Sequence, residues 1–279
     1  MENRKVRKRI SFILLVVMLF NMLSTSFLLQ AMAQRFSDEI HRSITVDGKK
    51  DDWEGIEPVG ESPNPGFVEG DHVFDIGNLY LTNDQEYLYF WVDAINVPYW
   101  YEEENDQGVY INIALQINDR DSGISANPWA SSFNFAGTEF KPQYHIALRL
   151  KKDNEVHGAA LYSANDLQNP ILATWSDQKG AKFAVNRHTG FEGKIPVKYL
   201  GLKNGDEIRA IVVLSGNKND HGAFDVIPQD PGNEIAETWD HSEKPNVLST
   251  YTNSYKVTGL LEQDDLELKS PVINEDGSI

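Results

Sequence analysis

The stretch Val109-Tyr110-Ile111-Asn112-Ile113-Ala114-Leu115-Gln116-Ile117 alternates aliphatic residues with polar, aromatic or small ones over nine positions. Side chains two residues apart along a β-strand point to the same face of a sheet. The aliphatic positions therefore predict one buried face, and the positions between them predict a face turned to solvent. This half-buried strand is the pattern from which the predicted fold class follows.

The same alternation recurs along the chain. It occurs in residues 143–150 and again from Ile208 to Leu214, and each run predicts a further strand. Residues 87–92 are instead apolar on both faces, which is typical of a central strand in a sandwich. Shorter strands are predicted at Ser43–Val46, Asn78–Thr82, Val156–Ser163, Ala181–Asn186 and Phe191–Ile195.

Helical patterns are almost missing from the sequence. No amphipathic period extends beyond about two turns, and the one short helix predicted begins at Pro196 and runs through Leu200. Many short strands separated by polar turns predict an all-β protein with a β-sandwich. Two long loops, Asn96–Gly108 and Asp119–Pro142, are candidates for function because loops of this length are uncommon in compact domains.

The first 33 residues have the order of a secretory signal peptide. Basic residues at positions 4–9 precede an apolar run from Ile10 to Phe20, and Ala31-Met32-Ala33 is a small-x-small cleavage pattern. We therefore expect cleavage after Ala33 and a secreted, extracellular protein. The alternative is a retained membrane anchor. We expect the folded domain to span residues 34–258 and the acidic segment 259–279 to be a disordered tail.

Composition excludes several classes of site. The formal charge of the chain is −17, and the predicted leader holds five basic residues and one acidic residue, so the remaining 246 residues carry about −21. Such a surface disfavours nucleic acid and anionic membranes, and it leaves neutral ligands and cations, above all calcium, as compatible partners. The chain has no cysteine, which excludes disulfides, thiolate metal sites and thiol nucleophiles.

Three segments of the chain share their order and spacing with a known family. These are ITVDGKKDDW (residues 44–53), DIGNLYLTNDQEYLYF (residues 75–90) and FEGKIPVKYLGLKNGD (residues 191–206). They resemble the patterns I-x-(I/V)-D-G-x-x-x-D-W, D-x-x-x-L-Y-(V/L)-x-x-D-x-x-Y-L-Y and E-x-x-I-P-x-x-x-L-G-L-x-x-G-D of family 9 carbohydrate-binding modules and their DOMON-like superfamily relatives. Residues 225–228 (DVIP) also resemble accessory domains of starch-degrading enzymes.

The resemblance covers about residues 43–257 and carries its own expectations. It implies a DOMON-like β-sandwich, of immunoglobulin-like jelly-roll type with long connecting loops, that binds a polysaccharide or oligosaccharide on its loop face. It also implies a structural calcium ion. Other members of the superfamily bind haem or support neighbouring domains, so the resemblance alone does not assign a ligand.

Aromatic residues in the long loops are the candidates for sugar contacts, because the apolar face of a pyranose stacks on flat rings. Tyr99, Trp100 and Tyr101 are adjacent in the first loop and cannot all face inward. Trp129 lies in the second loop. At least one of Tyr99, Trp100 and Tyr101 is expected to be exposed or to lie in a groove.

The remaining tryptophans divide between core and candidate site. Trp53 in the opening motif and Trp91 in the apolar run are predicted to be buried. Trp175 ends a short apolar run, which favours the core, but it stays a candidate for ligand contact. Trp239 lies in a polar segment and could pack against the sandwich or against a sugar.

Calcium would need several oxygen ligands close together. Residues 118–123 present alternating oxygens and a glycine after the predicted strand, so Asp119 and Asp121 are candidate ligands, and Asp75 is a third. A solvated turn is the alternative interpretation of the same segment.

No catalytic motif stands out in the sequence. It contains neither G-x-S-x-G nor a glycine-rich phosphate loop. The leading hypothesis is therefore a non-catalytic carbohydrate-binding protein. The alternatives are a structural or interaction domain of the cell envelope without a sugar ligand, and a glycoside hydrolase that uses an unrecognised pair of carboxylates.

Overall fold

The chain divides into two units, residues 1–42 and residues 43–279, and the sandwich belongs to the second. The residues that a computed structural model describes are 42–70, 72–97, 109–119, 123, 125–129, 131–135, 140–150, 156–186, 188–216, 220–238 and 240–261.

Within these residues the chain forms sixteen strands, one 3-10 turn (Asp51–Trp53) and one short helix, α1 (Val197–Leu200). The strands are β1 (Gly60–Glu61), β2 (Val68–Glu69), β3 (His72–Val73), β4 (Asp75–Asn83), β5 (Tyr87–Asn96), β6 (Val109–Ile117), β7 (Phe133–Phe135), β8 (Tyr144–Leu150), β9 (Val156–Ser163), β10 (Leu172–Ala173), β11 (Lys182–Asn186), β12 (Gly190–Pro196), β13 (Glu207–Gly216), β14 (Ala223–Ile227), β15 (Asn246–Leu248) and β16 (Tyr255–Lys256).

Two antiparallel sheets make up most of the fold. The smaller has five strands in the order β1-β4-β5-β12-β11, and the larger has the order β10-β9-β8-β6-β13-β14, with β16 also paired to β13. Leu79 and Phe90 of the smaller sheet share one buried cluster with Ile113, Leu148 and Val212 of the larger. The predicted all-β sandwich is confirmed. The apolar run at 87–92 is the central strand β5, as its pattern predicts.

The outer face of the larger sheet is covered over part of its area. The loop after β6 contributes Phe133, Phe135 and Phe140, and these rings pack with Leu248 onto the apolar outer residues of β6, β13 and β14. Strand β7 in this loop pairs in parallel with β15. Strand β6 is therefore buried on both faces, and the prediction that it is half-buried is wrong. The reason is tertiary, because aromatic residues of a loop exclude the solvent.

A second covering layer lies on the outer face of the smaller sheet. It is formed by the opening segment, which we define as residues 43–56. Ile44, Val46 and Trp53 of this segment are buried against Tyr89 and Trp91. Trp53 and Trp91 are core residues, as predicted. The predicted strand at residues 43–46 is wrong, because this part of the opening segment pairs with no sheet.

Glu192 of β12 holds the opening segment in place. Its Oε1 accepts a hydrogen bond from Nε1 of Trp53 at 2.8 Å, and its Oε2 accepts from the backbone N–H groups of Asp47 and Gly48 at 2.9 Å each. Gly48 has φ of +79°, a left-handed conformation that favours glycine. Burial raises the pKa of Glu192, although these three hydrogen bonds oppose the change. The opening motif and the later glutamate are therefore one structural unit.

The predicted strand bounds agree well with the structure where the pattern is strong. The bounds of β9 coincide with the prediction, and β12 extends it by one residue at each end. Helix α1 starts one residue later than predicted, because Pro196 is its extended N-cap and not its first helical residue. In the part of the chain that the structure describes, no helix is long and apolar enough to cross a membrane.

Candidate functional site

A groove opens on the outer face of the larger sheet, beyond the part covered by the phenylalanine layer. We call it the aromatic groove. It has a volume of about 310 Å³, within the range of small-ligand sites. Two of the tryptophans singled out from the sequence line it, one from the loop after β6 and one from the segment that follows β10. The described residues that line it are Tyr110, Trp129, Arg149, His157, Gly158 and Trp175.

The floor of the groove is a row of residues across three strands. Tyr110 of β6 is the register partner of Arg149 of β8, and Arg149 is the partner of Gly158 of β9. The register shifts just after Arg149, and His157 lies at this irregularity and is exposed. The guanidinium carbon of Arg149 lies 6.0 Å from the centre of the Tyr110 ring, within the range of a cation–π contact. The sheet thus places the Tyr110 ring, the Arg149 guanidinium and a glycine without a side chain, Gly158, side by side on neighbouring strands.

Trp129 is held in one orientation. Its Nε1 donates a hydrogen bond to the hydroxyl of Tyr162 at 3.0 Å, and its ring lies 4.5 Å from that of Tyr110. It packs against a patch of small residues that includes Ala147 and Ala160. Burial raises the pKa of the Tyr162 hydroxyl, so this group stays neutral. A ring fixed in this way loses little conformational freedom when a ligand binds.

Trp175 is the exposed wall of the groove. Its side chain is 55% exposed, so the expectation that it lies in the core is wrong. Its ring rests on Gly158, where a Cβ would lie 3.1 Å from Cζ3 and 3.2 Å from Cε3 of the indole. The apolar run before Trp175 is the short edge strand β10, and the chain leaves the sheet at that point. Glycine at position 158 therefore gives the ring its place on the strand.

The other residues proposed for ligand contact lie outside the described residues. These are Tyr99, Trp100, Tyr101 and Trp239. Residues 234–246, on either side of Trp239, border a larger depression of about 810 Å³. Its described lining contains no Trp, Tyr or Phe and is acidic, with Glu234, Glu237, Asp240 and Glu243.

The described residues do not assemble the predicted calcium site. Asp75 starts β4 in the smaller sheet, whereas Asp119 follows β6 in the larger one. The Asp119 carboxylate accepts a hydrogen bond from Nη1 of Arg209 at 3.0 Å, and this cation competes with a metal ion. Among the described residues no three His, Asp or Glu side chains are grouped to hold a metal. Asp121 lies outside the described residues, so calcium stays a prediction.

One pair of carboxylates has raised pKa values, but it is a structural pair. Burial raises the pKa of Asp225 to about 7, and it also raises the pKa of Asp75 nearby. Asp225 is fully buried and Asp75 is 8% exposed. The Asp225 oxygens accept hydrogen bonds from the Ser62 hydroxyl and from the backbone N–H groups of Ile76 and Val226. A buried carboxylate whose oxygens are engaged in this way cannot reach a polysaccharide.

Tyr110, Arg149, His157 and Gly158 were not singled out from the sequence as site residues. Tyr110 does fall in the outward phase of the β6 alternation, and Arg149 falls in the outward phase of β8. That phase is the only sequence signal for them. Their proximity depends on which strands pair and in which register, and neither is encoded in a local pattern.

Comparison with known proteins finds similar solved structures but no matching family model. No family model matches the chain, and no curated protein matches it. Two solved structures of a family 9 carbohydrate-binding module from Caldicellulosiruptor kristjanssonii are similar. The complex with cellotriose shares 12% identity over 80% of this chain and 93% of that one, with a TM-score of 0.36. The complex with glucose shares 13% identity over 75% and 93%, with a TM-score of 0.37. Both belong to the family that the sequence motifs resemble.

Proposed function

We propose that the protein is a secreted, non-catalytic carbohydrate-binding protein that holds a glycan in the aromatic groove. The observation that carries the proposal is the convergence of Trp129 and Trp175. These two rings are 46 residues apart in the chain and were chosen from sequence as candidate sugar contacts, and they line one groove.

The chemistry of the groove suits a sugar. The exposed face of Trp175 offers a surface on which the C–H face of a pyranose can stack. Trp129 and Tyr110 add fixed aromatic surface. Arg149 and His157 supply N–H donors for ring hydroxyls. A few polar groups placed around aromatic walls are the usual composition of a small-ligand site.

A binding role is favoured over catalysis by the position of the carboxylates. The described lining of the groove contains none, whereas glycoside hydrolysis requires two across the scissile bond. The buried Asp75–Asp225 pair cannot substitute for them. Export is the second part of the proposal, and it is supported by the basic, apolar and small-residue order of residues 4–33.

The alternative is an envelope interaction domain, which would use the exposed Trp175 to contact a protein. Affinity electrophoresis of the protein from residue 34 onward distinguishes the two functions. Gels would contain soluble cellulose derivatives, mixed-linkage glucan or xylan, with either calcium or a chelator in the buffer. We expect retardation on at least one polysaccharide. Unchanged migration on all of them would contradict the sugar proposal. Retardation that the chelator abolishes would support the predicted calcium ion.

Replacing Trp175 by alanine is expected to weaken retention at least about tenfold, because the stacking surface is lost and truncating an aromatic hot spot of a binding site costs about 2 kcal/mol or more. Ile95→Ala is the control. Ile95 is a comparably exposed apolar residue, at 60%, but it lies on the smaller sheet, so its variant should migrate like the wild type. Equal retention of Trp175→Ala and wild-type protein would exclude the groove as the site.

Gly158→Ala is expected to lower sugar affinity severalfold with little loss of stability. The added methyl group would stand 3.1–3.2 Å from two carbons of Trp175, so the exposed ring must shift by a few tenths of an ångström. Because the ring is exposed, it can move without opening the core. Calorimetric titration with the best ligand would measure the affinity, and thermal unfolding would measure the stability. A variant that binds as tightly as wild type would show that Trp175 need not lie flat on β9.

A further inference from the structure

We infer that Thr174 is a positioning residue of the aromatic groove, because its hydroxyl ends the pairing of β9 with β10 and so sets the Trp175 ring on Gly158. The inference deepens the proposed function and rests on it, since Trp175 is the ring on which the sugar is proposed to stack. Thr174 itself is not among the described residues that line the groove. It acts on the ligand through the tryptophan that follows it in the chain.

Thr174 forms two hydrogen bonds with one residue of β9. Its backbone N–H donates to the Ala159 carbonyl at 2.9 Å, and its Oγ1 accepts from the Ala159 N–H at 2.9 Å. Strand β10 pairs with β9 through Leu172 and Ala173, so residue 174 is the next position of the ladder. In a continued antiparallel ladder the Ala159 amide would donate to the backbone carbonyl of residue 174. The threonine hydroxyl takes the place of that carbonyl, and the backbone can leave the sheet without orphaning the amide.

The backbone turns directly after this contact, and the turn carries the exposed ring. The Ser176 N–H donates to the Ala173 carbonyl at 3.2 Å, so Trp175 is the third residue of a four-residue turn. Its indole rests on Gly158, which precedes Ala159 in β9. The hydroxyl contact and the ring contact therefore lie on consecutive residues of one strand.

Fixing this ring matters for binding because its side chain is 55% exposed. A ring that moves freely in solvent must be ordered when a sugar stacks on it, and that ordering opposes binding. The two hydrogen bonds between Thr174 and Ala159 hold the backbone from which the Trp175 side chain projects. Thr174 thus preorganises the exposed wall of the groove, as the Tyr162 hydroxyl does for Trp129.

The chain contains a matched contact that is not part of the groove. The Thr252 N–H donates to the Ala210 carbonyl at 3.0 Å, and the Thr252 Oγ1 accepts from the Ala210 N–H at 3.0 Å. Ala210 lies in β13 of the same sheet, and neither residue is among the described residues that line the groove. Both threonines support a strand amide in the same way, but only Thr174 precedes a wall of the groove. Thr252→Val therefore controls for the loss of the hydrogen bond itself.

The test is calorimetric titration of the full mature chain and its variants with cellohexaose and xylohexaose. Thr174→Val keeps the shape of the side chain but removes the acceptor. Its affinity is expected to fall about two- to tenfold, which corresponds to the cost of about 0.5–1.5 kcal/mol for ordering one side chain on binding. Thr174→Ser keeps the hydroxyl and should bind like the wild type. Thr252→Val should also bind like the wild type, while both valine variants lose a similar free energy of unfolding.

Two further measurements separate positioning from a purely structural role. In a Trp175→Ala background, Thr174→Val should cause no additional loss of affinity, since it acts through the ring. In protein labelled with 5-fluorotryptophan, the ¹⁹F resonance that disappears in Trp175→Ala reports the surroundings of this indole without any sugar. That resonance is expected to shift or broaden in Thr174→Val and to stay in place in Thr174→Ser and Thr252→Val.

The outcomes distinguish this inference from the function on which it rests. Wild-type affinity in Thr174→Val, or an unchanged Trp175 resonance, would overturn the inference and leave carbohydrate binding intact. An additional loss of affinity in the Trp175→Ala background would also overturn it, because Thr174 would then act on the sugar by another route. Binding of neither oligosaccharide by the wild type would count against the proposed function, and the resonance alone would then decide whether Thr174 sets the ring.

Discussion

Replacing Glu192 by alanine is expected to lower the free energy of unfolding by about 3–5 kcal/mol, because it leaves three hydrogen-bond donors without an acceptor. The carboxylate accepts from Nε1 of Trp53 and from the backbone N–H groups of Asp47 and Gly48. A buried donor that loses its acceptor costs about 1–3 kcal/mol. Whole domains are stable by only about 5–15 kcal/mol, so the three hydrogen bonds to Glu192 account for a large part of the free energy of unfolding.

Chemical denaturation of Glu192→Ala, followed by circular dichroism, would measure this loss. Glu192→Gln is a milder substitution at the same position. Its amide oxygen can still accept hydrogen bonds from the two backbone N–H groups, while its NH₂ group faces the indole N–H. We expect it to cost about 1–3 kcal/mol. A double-mutant cycle with Trp53→Phe would isolate the indole contact. A loss below about 1 kcal/mol in Glu192→Ala would show that the opening segment is not held by this residue.

Asp225→Asn is expected to change the dependence of stability on pH. Burial raises the pKa of Asp225 from 3.8 to about 7, so the folded protein binds this proton more tightly than the unfolded chain does. Both states are protonated below about pH 4. As the pH rises from 4 to 7 the unfolded chain loses the proton first, and the free energy of unfolding falls. Three pKa units correspond to about 4 kcal/mol.

Asparagine does not titrate, so the free energy of unfolding of Asp225→Asn lacks the decline between pH 4 and pH 7 that Asp225 causes in the wild type. The free energy of unfolding of Asp225→Asn minus that of the wild type should therefore increase by up to about 4 kcal/mol from pH 4 to pH 7. A constant cost is expected in addition, because one amide N–H would face the donors that Asp225 now satisfies. Urea denaturation of both proteins at a series of pH values would measure the difference. A difference that does not vary with pH would contradict the prediction.

The prediction concerns the difference in the free energy of unfolding between variant and wild type, because in each protein His145 changes the stability with pH in the opposite direction to Asp225. This side chain is fully buried, and burial lowers its pKa to about 3. The unfolded chain therefore takes up the proton first as the pH falls below about 6.5, so His145 makes stability rise with pH between about 3 and 6.5. The two residues therefore oppose each other between about pH 4 and pH 6.5, and the difference between wild type and variant isolates the contribution of Asp225.

The sequence predicts the architecture well because strand alternation is a local property. It identifies β6, β8 and β13, and it identifies β5 as a central strand. It does not predict that β6 is buried on both faces, since Phe133, Phe135 and Phe140 reach it from a loop. Such covering depends on the path of the loop, and neither propensity nor periodicity describes that path.

The candidate site was predictable in its chemistry but not in its location. The choice of aromatic residues singled out Trp129 and Trp175, but the apolar run before Trp175 favoured the core. The short edge strand that this run forms, and the glycine that supports the indole ring, became apparent only from the pairing of β9 with β10. Tyr110 and Arg149 meet because β6 and β8 are neighbours in one register.

The contact between Trp53 and Glu192 also bears on when the domain can finish folding. The two residues are 139 positions apart, and both form part of the same buried unit. Contacts of such long range are slow to form because the intervening chain must first be ordered. During synthesis, or during threading through any narrow channel, the opening segment has no acceptor until residue 192 has emerged. The first residues of the domain to leave the channel are therefore among the last to dock, and until then the aromatic rings of this segment and of the sheet face beneath it stay accessible to chaperones.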